Sequence, residues 1–466
     1  MSKGIMERFN RYCEVVIKSL KHADREQPAS WYLKGLMLPG GRKSIEPMAA
    51  RVYPENVRSA HQSMHHLVAD AGWSDEALLG AVAEEVLPAL FKNDAPCAWI
   101  VDDTGFPKKG ECSVGVARQY CGQLGKTDNC QVAVSLSVAT EAGSLPMAYR
   151  LYLPEEWAED KARRSSVYVP PEITFATKGE IALSQIEAML TAGVRRGVLL
   201  ADAAYGDETA FRDRVTELGL IYAVGVRPGT TVWWGENQPA PMPNNGGRGR
   251  PRERLVRDAN HQPISILDLA RTLSPQSYRT ITWRIGEAGE LTSRFARVRM
   301  RPAHRDRPRA EEWLLIEWPK GEDEPTRYWF STLPRDIAFD DLVAAVKGRW
   351  MIERDYQNLK QEVGLGHFEG RSWGGFHHHA SLCIAAYGFL MLERLRHPGK
   401  KNPTRLKESA LPKDFQPRGR STSATTRPMV NRHDTLSTGA CDRQNSIAVP
   451  VLWCPQRRNN AYLITQ

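Results

Sequence analysis

Cys97-Ala98-Trp99-Ile100-Val101-Asp102-Asp103-Thr104-Gly105 and Gly197-Val198-Leu199-Leu200-Ala201-Asp202 are the stretches on which the fold turns. Each is a short apolar run, as in a strand buried on both faces, and each ends on aspartate. In open α/β sheets, sites assemble at strand ends. A single aspartate there is ordinarily a helix cap or turn former. Two such ends with a third carboxylate downstream are more telling. Between them, Gln131–Thr140 and Met147–Leu153 read as strands joined by a turn at Glu141-Ala142-Gly143-Ser144, a hairpin. Lys178–Thr191 reads as a helix, a second helix runs from Gly206 through Leu218, and Leu220–Val226 is a further strand. The order is three strands, helix, strand, helix, strand. It specifies an α/β fold whose sheet mixes antiparallel neighbours with right-handed parallel crossovers.

Outward from this core, residues 1–95 read as helical. Met6, Phe9, Tyr12, Val16, Ile17 and Leu20 recur at helical spacing, and Ser74 followed by Asp75 and Glu76 opens a later helix. The pattern suits a DNA-binding module and a plain helical cap equally. Residues 227–335 bring a turn-rich linker at Pro239–Asn245. The segments Arg279–Ile285, Ser293–Met300, Glu312–Trp318 and Tyr328–Phe330 then read as strands of a β-rich insertion. Residues 336–398 hold two helices, Asp340–Val363 and Ala380–Leu395, and residues 399–466 read as a basic tail, loop or disordered.

The 466 residues imply two or three domains, and 41% apolar with 25% charged residues describes a globular chain. No apolar run approaches the ~18–20 residues that span a bilayer. The first 26 residues have no apolar signal core, and eight cysteines without a Cys-x2-Cys pair suit reduced thiols, so a cytoplasmic protein is expected. The net charge of +9 is unevenly placed: Gly246–Arg309 holds 15 Arg, no Lys and six acids. From Gly399 onward there are 12 Lys and Arg against four acids. A basic centre and tail on a balanced body suggest a polyanion partner, with solvated loops as the plain alternative.

The third carboxylate lies in Arg349-Trp350-Met351-Ile352-Glu353-Arg354-Asp355-Tyr356-Gln357-Asn358-Leu359-Lys360. Arg349, Glu353 and Lys360 share one helical face. That spacing is also an ordinary surface ion pair, worth little by itself. Hard divalent cations want oxygen ligands, and paired ions can activate an attacking oxygen and stabilise a leaving one in phosphoryl transfer. Two strand-end aspartates and a helix glutamate supply the ligands, with the arginine and lysine free to hold phosphate.

As a set, Asp102-Asp103-Thr104-Gly105-Phe106-Pro107-Lys108-Lys109-Gly110, Leu200-Ala201-Asp202-Ala203-Ala204-Tyr205-Gly206-Asp207 and the 349–360 helix resemble the DDE transposases of bacterial insertion sequences, specifically the group with a Tyr-Arg-Glu-Lys signature in the closing helix. The resemblance covers roughly residues 96–395. It implies a ribonuclease-H-like mixed sheet flanked by helices and interrupted by the insertion. It also implies Asp103, Asp202 and Glu353 as catalytic ligands of two Mg²⁺ ions, with Mn²⁺ as a substitute. The expected activity is cleavage at the ends of an insertion sequence and joining to target DNA. The alternatives are a metal-dependent nuclease of the same fold and a DNA-binding protein derived from a transposase. The expected partner is double-stranded DNA, terminal inverted repeats and target, bound by a homodimer. The signature tyrosine falls on Val346; Asp102 competes with Asp103, and Glu362 with Glu353. Arg349, Lys360, Lys108 and Lys109 are candidate DNA contacts. Arg248-Gly249-Arg250-Pro251 has the form of a minor-groove hook, or of a flexible basic linker. Trp329, with Tyr328 and Trp313, is a candidate to stack a flipped base, against core packing. His377-His378-His379 cannot all face one metal and reads as a DNA contact or polar helix start. Cys112, Cys121 and Cys130 lack a zinc spacing and read as buried or incidental thiols.

Overall fold

The computed structural model describes residues 3–92, 95–235, 262–286, 289–304 and 309–397. Five helices come first: α1 (Lys3–Val16), α2 (Glu26–Met37), α3 (Ile45–Val52), α4 (Val57–Ala69) and α5 (Asp75–Leu90). Ser74 caps α5 by accepting from the Ala77 amide at 3.1 Å, with Asp75 and Glu76 in the first turn where the helix dipole favours acids.

The strands β1 (Ala98–Pro107), β2 (Ala117–Cys121), β3 (Lys126–Thr140) and β4 (Gly143–Leu151) follow. After the short helices α6 (Glu155–Glu159) and α7 (Lys161–Ser166) come α8 (Lys178–Thr191), β5 (Val198–Ala201), α9 (Ala203–Gly206), α10 (Thr209–Glu217) and β6 (Tyr222–Val226). The stretch expected as an insertion supplies β7 (Thr231–Trp233), β8 (Ile264–Ser265), α11 (Ile266–Thr272), β9 (Arg279–Gly286), β10 (Gly289–Pro302), β11 (Glu312–Glu317) and β12 (Arg327–Ser331). The closing helices are α12 (Phe339–Lys347), α13 (Trp350–Asn358) and α14 (Trp373–Arg396).

The strands join in the order β2-β3-β1-β5-β6-β12-β11-β10-β7-β8, with β4 on β3 and β9 on β10. β1 runs antiparallel to β3 and parallel to β5, and β5 parallel to β6. This is the ribonuclease-H-like mixed α/β arrangement, with helices on both faces and a helical N-terminal region. The strands of the 227–335 stretch continue the same sheet, because β12 pairs antiparallel with β6.

The sheet divides the core into two layers. Ala98, Ile100, Val198 and Leu200 face the layer shared with α1 to α5 and α12 to α14. Trp99, Val101, Leu199 and Ala201 face the layer under α8 and α10.

Two sequence expectations change here. β1 does not stop at Val101 but pairs with β3 through Pro107, ten residues in register, so Asp102 and Asp103 lie within the strand. The 340–363 helix is interrupted at Gly348, and α13 passes into one π-helical turn, Leu359–Val363, ended by Gly364 at φ 87°.

The insertion strands grip that interruption. Lys347 is buried in an ion pair with Glu317 at 2.7 Å, its ammonium 4.7 Å from the Trp283 ring centre and 5.4 Å from that of Trp329. Arg284 on β9 lies 3.5 Å over the Trp350 ring at the start of α13. Such a buried pair adds little net stability, but removing one partner strands a charge at roughly 3–5 kcal/mol. The device therefore sets where α13 begins.

Candidate active site

Strand alternation decides where the carboxylates go. Successive side chains point to opposite faces. Asp102 therefore follows Ala98 and Ile100 toward α13, and Asp103 follows Trp99 and Val101 toward α8. On the parallel neighbour, Asp202 comes after Ala201 and so continues the face of Val198 and Leu200. With Ile100 level with Leu200, Asp102 and Asp202 lie side by side, on strands ~4.8 Å apart.

Asp202 is also the N-cap of α9, accepting from the Ala204 amide at 2.9 Å. The turn that holds it needs Gly206: a Cβ there would fall 1.9 Å from the Gly225 carbonyl oxygen on β6. The Ala203–Gly206 turn can therefore lie flat on the sheet.

Arg349 closes the group from α13. Its Nη1 donates to Asp102 Oδ2 at 2.8 Å, and its Nη2 lies 3.5 Å from Glu353 Oε1. The Asp102 side chain is 13% exposed and that of Glu353 68%. Burial pushes the Asp102 carboxyl up to about 7, with Asp202 and Asp103 adding to the effect and Arg349 opposing it. Burial pulls the Arg349 guanidinium down, yet Asp102, Asp202 and Glu353 together hold it above its ordinary value. Asp102 and Glu353 thus pair with one guanidinium, and Asp202 adds to the field on it. Among the described residues, no three His, Cys, Asp or Glu stand close enough together to hold a metal ion.

Asp103 belongs to a different set. Its Oδ2 accepts from Lys178 Nζ at 2.7 Å, at the start of α8. In the core layer on this side stands Tyr205, buried, its hydroxyl without a hydrogen-bond partner. Burial first, then Asp103, Asp102 and Asp202, raise that hydroxyl well above the ordinary tyrosine range.

Lys360 leans back over β1. Its Nζ donates to the Gly105 carbonyl at 2.7 Å and to Gln123 Oε1 at 3.1 Å, and sits 4.7 Å from the Phe106 ring centre. Burial lowers it to about 8.

Comparison with known proteins gives the chain's family. The family model for DDE superfamily endonucleases matches residues 15–290. The chain belongs to that family. The matched span takes in Asp102, Asp103 and Asp202 and stops before Glu353. The chain is also 33% identical over 222 residues to the "Probable transposase for insertion sequence element IS701" of Microchaete diplosiphon. That alignment covers 47% of this chain and 53% of the relative, so the chain spans about half the length of the curated protein it matches.

In this member of the DDE superfamily endonucleases, the residues singled out in the sequence fall into three groups. Asp102, Asp202, Arg349 and Glu353 share the α13 face, and Lys360 follows them on the chain. Asp103, the residue the resemblance implies, points the other way, because one residue along a strand changes the face. Glu362 lies in the π-helical turn and Val346 is buried on α12.

Lys108 donates to the Phe368 carbonyl at 2.7 Å, which ties it to the loop before α14, while Lys109 is exposed. Trp329 is 9% exposed, packed beside Lys347, and Trp313 and Tyr328 are also buried. The three rings take the core-packing role, because β11 and β12 lie inside the extended sheet. Arg248, Arg250 and the 399–466 tail lie outside the described residues.

The three consecutive histidines are buried on α14 rather than at its polar start, because that helix begins at Trp373. His377 Nε2 accepts from the Leu151 amide at 3.2 Å; His378 lies 3.0 Å from both the Val68 and Trp73 carbonyls; His379 lies 2.8 Å from the Tyr32 hydroxyl. Cys121 and Cys130 are buried free thiols, and Cys112 is exposed.

Lys178 and Tyr205 escaped the sequence reading. Lys178 left one trace: a lysine in the first turn of a helix opposes the dipole, so a nearby carboxylate is implied. Thr177 and Glu180 form the capping box that places it there.

Proposed function

We propose that the chain is a transposase that cuts DNA at the ends of an insertion sequence and joins the freed ends to target DNA. The observation that carries this reading is that Asp102, Asp202 and Glu353, from two parallel strands and a helix far apart in sequence, all act on Arg349, the first and last by direct ion pairs.

The donor set suits hard divalent ions. All three candidate ligands are carboxylates, and Asp102 is buried among like charges. Drawn closer together than they stand here, Asp102, Asp202 and Glu353 would hold a pair of Mg²⁺ ions, with Asp103 outside the set. Bound there, the ions would supply an activated water and neutralise charge on the leaving oxygen.

The remaining work falls to the chain. Asp202 is held by its cap on α9, and Asp102 by the pairing of β1 with β3. Arg349 balances the carboxylates when the site is empty of substrate and is placed to meet a phosphate oxygen when DNA arrives. Lys360 and Lys109 flank the strand path. The two ends of an element have to meet, so two chains acting together on DNA form the working unit.

The test uses a duplex carrying the DNA that flanks the coding region, with Mg²⁺. Nicking at the element end followed by joining is the expected result. Nicking without joining leaves a nuclease. Binding without nicking, unchanged by Asp202→Asn, leaves a DNA-binding protein.

A further inference from the structure

Regular helix is interrupted at both ends of α13. It starts after the break at Gly348 and runs into the π-helical turn Leu359–Val363, which Gly364 ends at φ 87°. The grip on Lys347 and Trp350 sets where α13 begins, and its rotation and height over the sheet are set along its length. Ile352 and Leu359 bury apolar surface beneath it. Such contacts are non-directional, and a helix can turn or slide on them at little cost. Hydrogen bonds have narrow limits of distance and angle and do not permit this.

The two residues that supply such bonds, Asp355 and Tyr356, follow closely on Glu353. Asp355 is buried; its Oδ2 accepts from the Ser144 hydroxyl on β4, and its Oδ1 from the Tyr387 hydroxyl on α14 at 2.9 Å. Tyr356 is buried too, and its hydroxyl shares a hydrogen bond with that of Ser135 on β3. With Arg349 on Asp102 of β1, α13 reaches one polar side chain on each of three successive strands. At about 100° per residue, Asp355 lies on the side of the helix opposite Glu353, and Tyr356 on an adjoining side. The pair therefore fixes rotation as well as height, and it leaves Glu353 at the rim with its side chain exposed.

The Ser135 contact also reaches the sheet carboxylates. Ser135 stands directly opposite Asp102 in the β1–β3 register, so the two side chains share a face. Burial first, and then Asp102, push the Tyr356 hydroxyl well above the ordinary tyrosine range, which puts the two groups in each other's field. The carboxyl of Asp355 and the hydroxyls of Ser135, Ser144, Tyr356 and Tyr387 are all buried. They carry a desolvation cost that apolar side chains would not, and what they add is a single allowed placement.

We propose that Asp355 and Tyr356 are positioning residues that lock α13 in one placement, from which Glu353 can join Asp102 and Asp202. Neither touches the DNA or the ions. The helix stays fixed, and closure of the site is left to the exposed Glu353 side chain. This rests on reading Asp102, Asp202 and Glu353 as the set that holds the ions.

The experiment measures Mn²⁺ binding to the full-length protein by electron paramagnetic resonance, alone and with an end duplex made uncleavable at the element end. Circular dichroism follows the folded fraction. Tyr356→Phe and Ser135→Ala each remove one hydroxyl, and each should weaken Mn²⁺ binding by roughly tenfold. The double variant should be no weaker than either single one, since both act through one bond. Asp355→Asn should weaken Mn²⁺ binding as well, by roughly tenfold or more. Binding of the duplex without metal should stay within about twofold of wild type, because no phosphate contact is altered. Wild-type Mn²⁺ binding in Tyr356→Phe and Ser135→Ala, losses that add in the double variant, or losses that only follow the unfolded fraction overturn the positioning role and leave the ion-holding set intact. A wild type that takes up no Mn²⁺ with the duplex present, or whose uptake is unchanged by Asp102→Asn, overturns that set, and the positioning role with it.

Discussion

Asp102 and Asp103 are neighbours in the chain and occupy opposite sides of the sheet. Asp102 meets a guanidinium from α13 at 2.8 Å and shares its surroundings with Asp202 and Glu353. Asp103 meets an ammonium from α8 at 2.7 Å. Both are acids ion-paired to a base at nearly the same distance, so the contact alone does not separate a ligand from a support. What separates them is the company each face provides. One face brings a second strand-end aspartate and a helix glutamate; the other brings a lone lysine. In a strand, the unit of function is the face, and a one-residue difference in assignment moves the residue to another site.

The largest effect should separate the two aspartates. Asp102→Asn should remove cleavage of the end duplex by on the order of a thousandfold or more, as loss of a ligand to catalytic ions does. Asp103→Asn should stay within roughly tenfold of wild type, as expected for a group outside the ligand set. Steady-state cleavage rates with matched protein folding, checked by circular dichroism, read the difference. The reverse order of effects would place the site on the α8 face.

Arg349 comes next. Arg349→Ala should slow cleavage by roughly 10- to 100-fold, the range for one lost charge-assisted contact to a reacting phosphate. Arg349→Lys should recover only part, since an ammonium cannot span Asp102 and Glu353 as the planar fork does. Full recovery by lysine would reduce Arg349 to a point charge.

The smallest effect should follow Lys178→Met. The pair with Asp103 is partly exposed, at 31% and 24% of the two side chains, so its loss should shift unfolding stability by no more than about 1 kcal/mol. Cleavage should change only a few-fold. A Lys178→Met protein as inactive as Asp102→Asn would show that the α8 face takes part in the chemistry after all.

Much of this was legible in the sequence because it is written as contiguous pattern. The hairpin of β3 and β4, the helix Lys178–Thr191 and the buried strand ending at Asp202 each carry their own periodicity and punctuation. The carry-through of β1 past Val101 does not. Asp102-Asp103-Thr104-Gly105 has poor strand propensity, and the ten-residue pairing with β3 overrides it.

The break at Gly348 is hidden for a similar reason. Apolar spacing continues across it, and only the grip of Lys347 and Trp350 by the insertion strands shows where α13 starts. Trp329 could not be judged because an aromatic in a short β-rich run suits either a core or a stacking platform. Extension of the core sheet through β12 decides for the core. Lys178 could not be matched to Asp103 at all, since a pairing 75 residues apart depends on how α8 lies on the sheet.

The most direct test is to soak crystals with Mn²⁺ and locate its anomalous signal. Density within about 2.5 Å of the Asp102 and Asp202 carboxylate oxygens, on the α13 side of the sheet, is the expected result. Density bound by Asp103 on the α8 side, with Lys178 displaced, would contradict it.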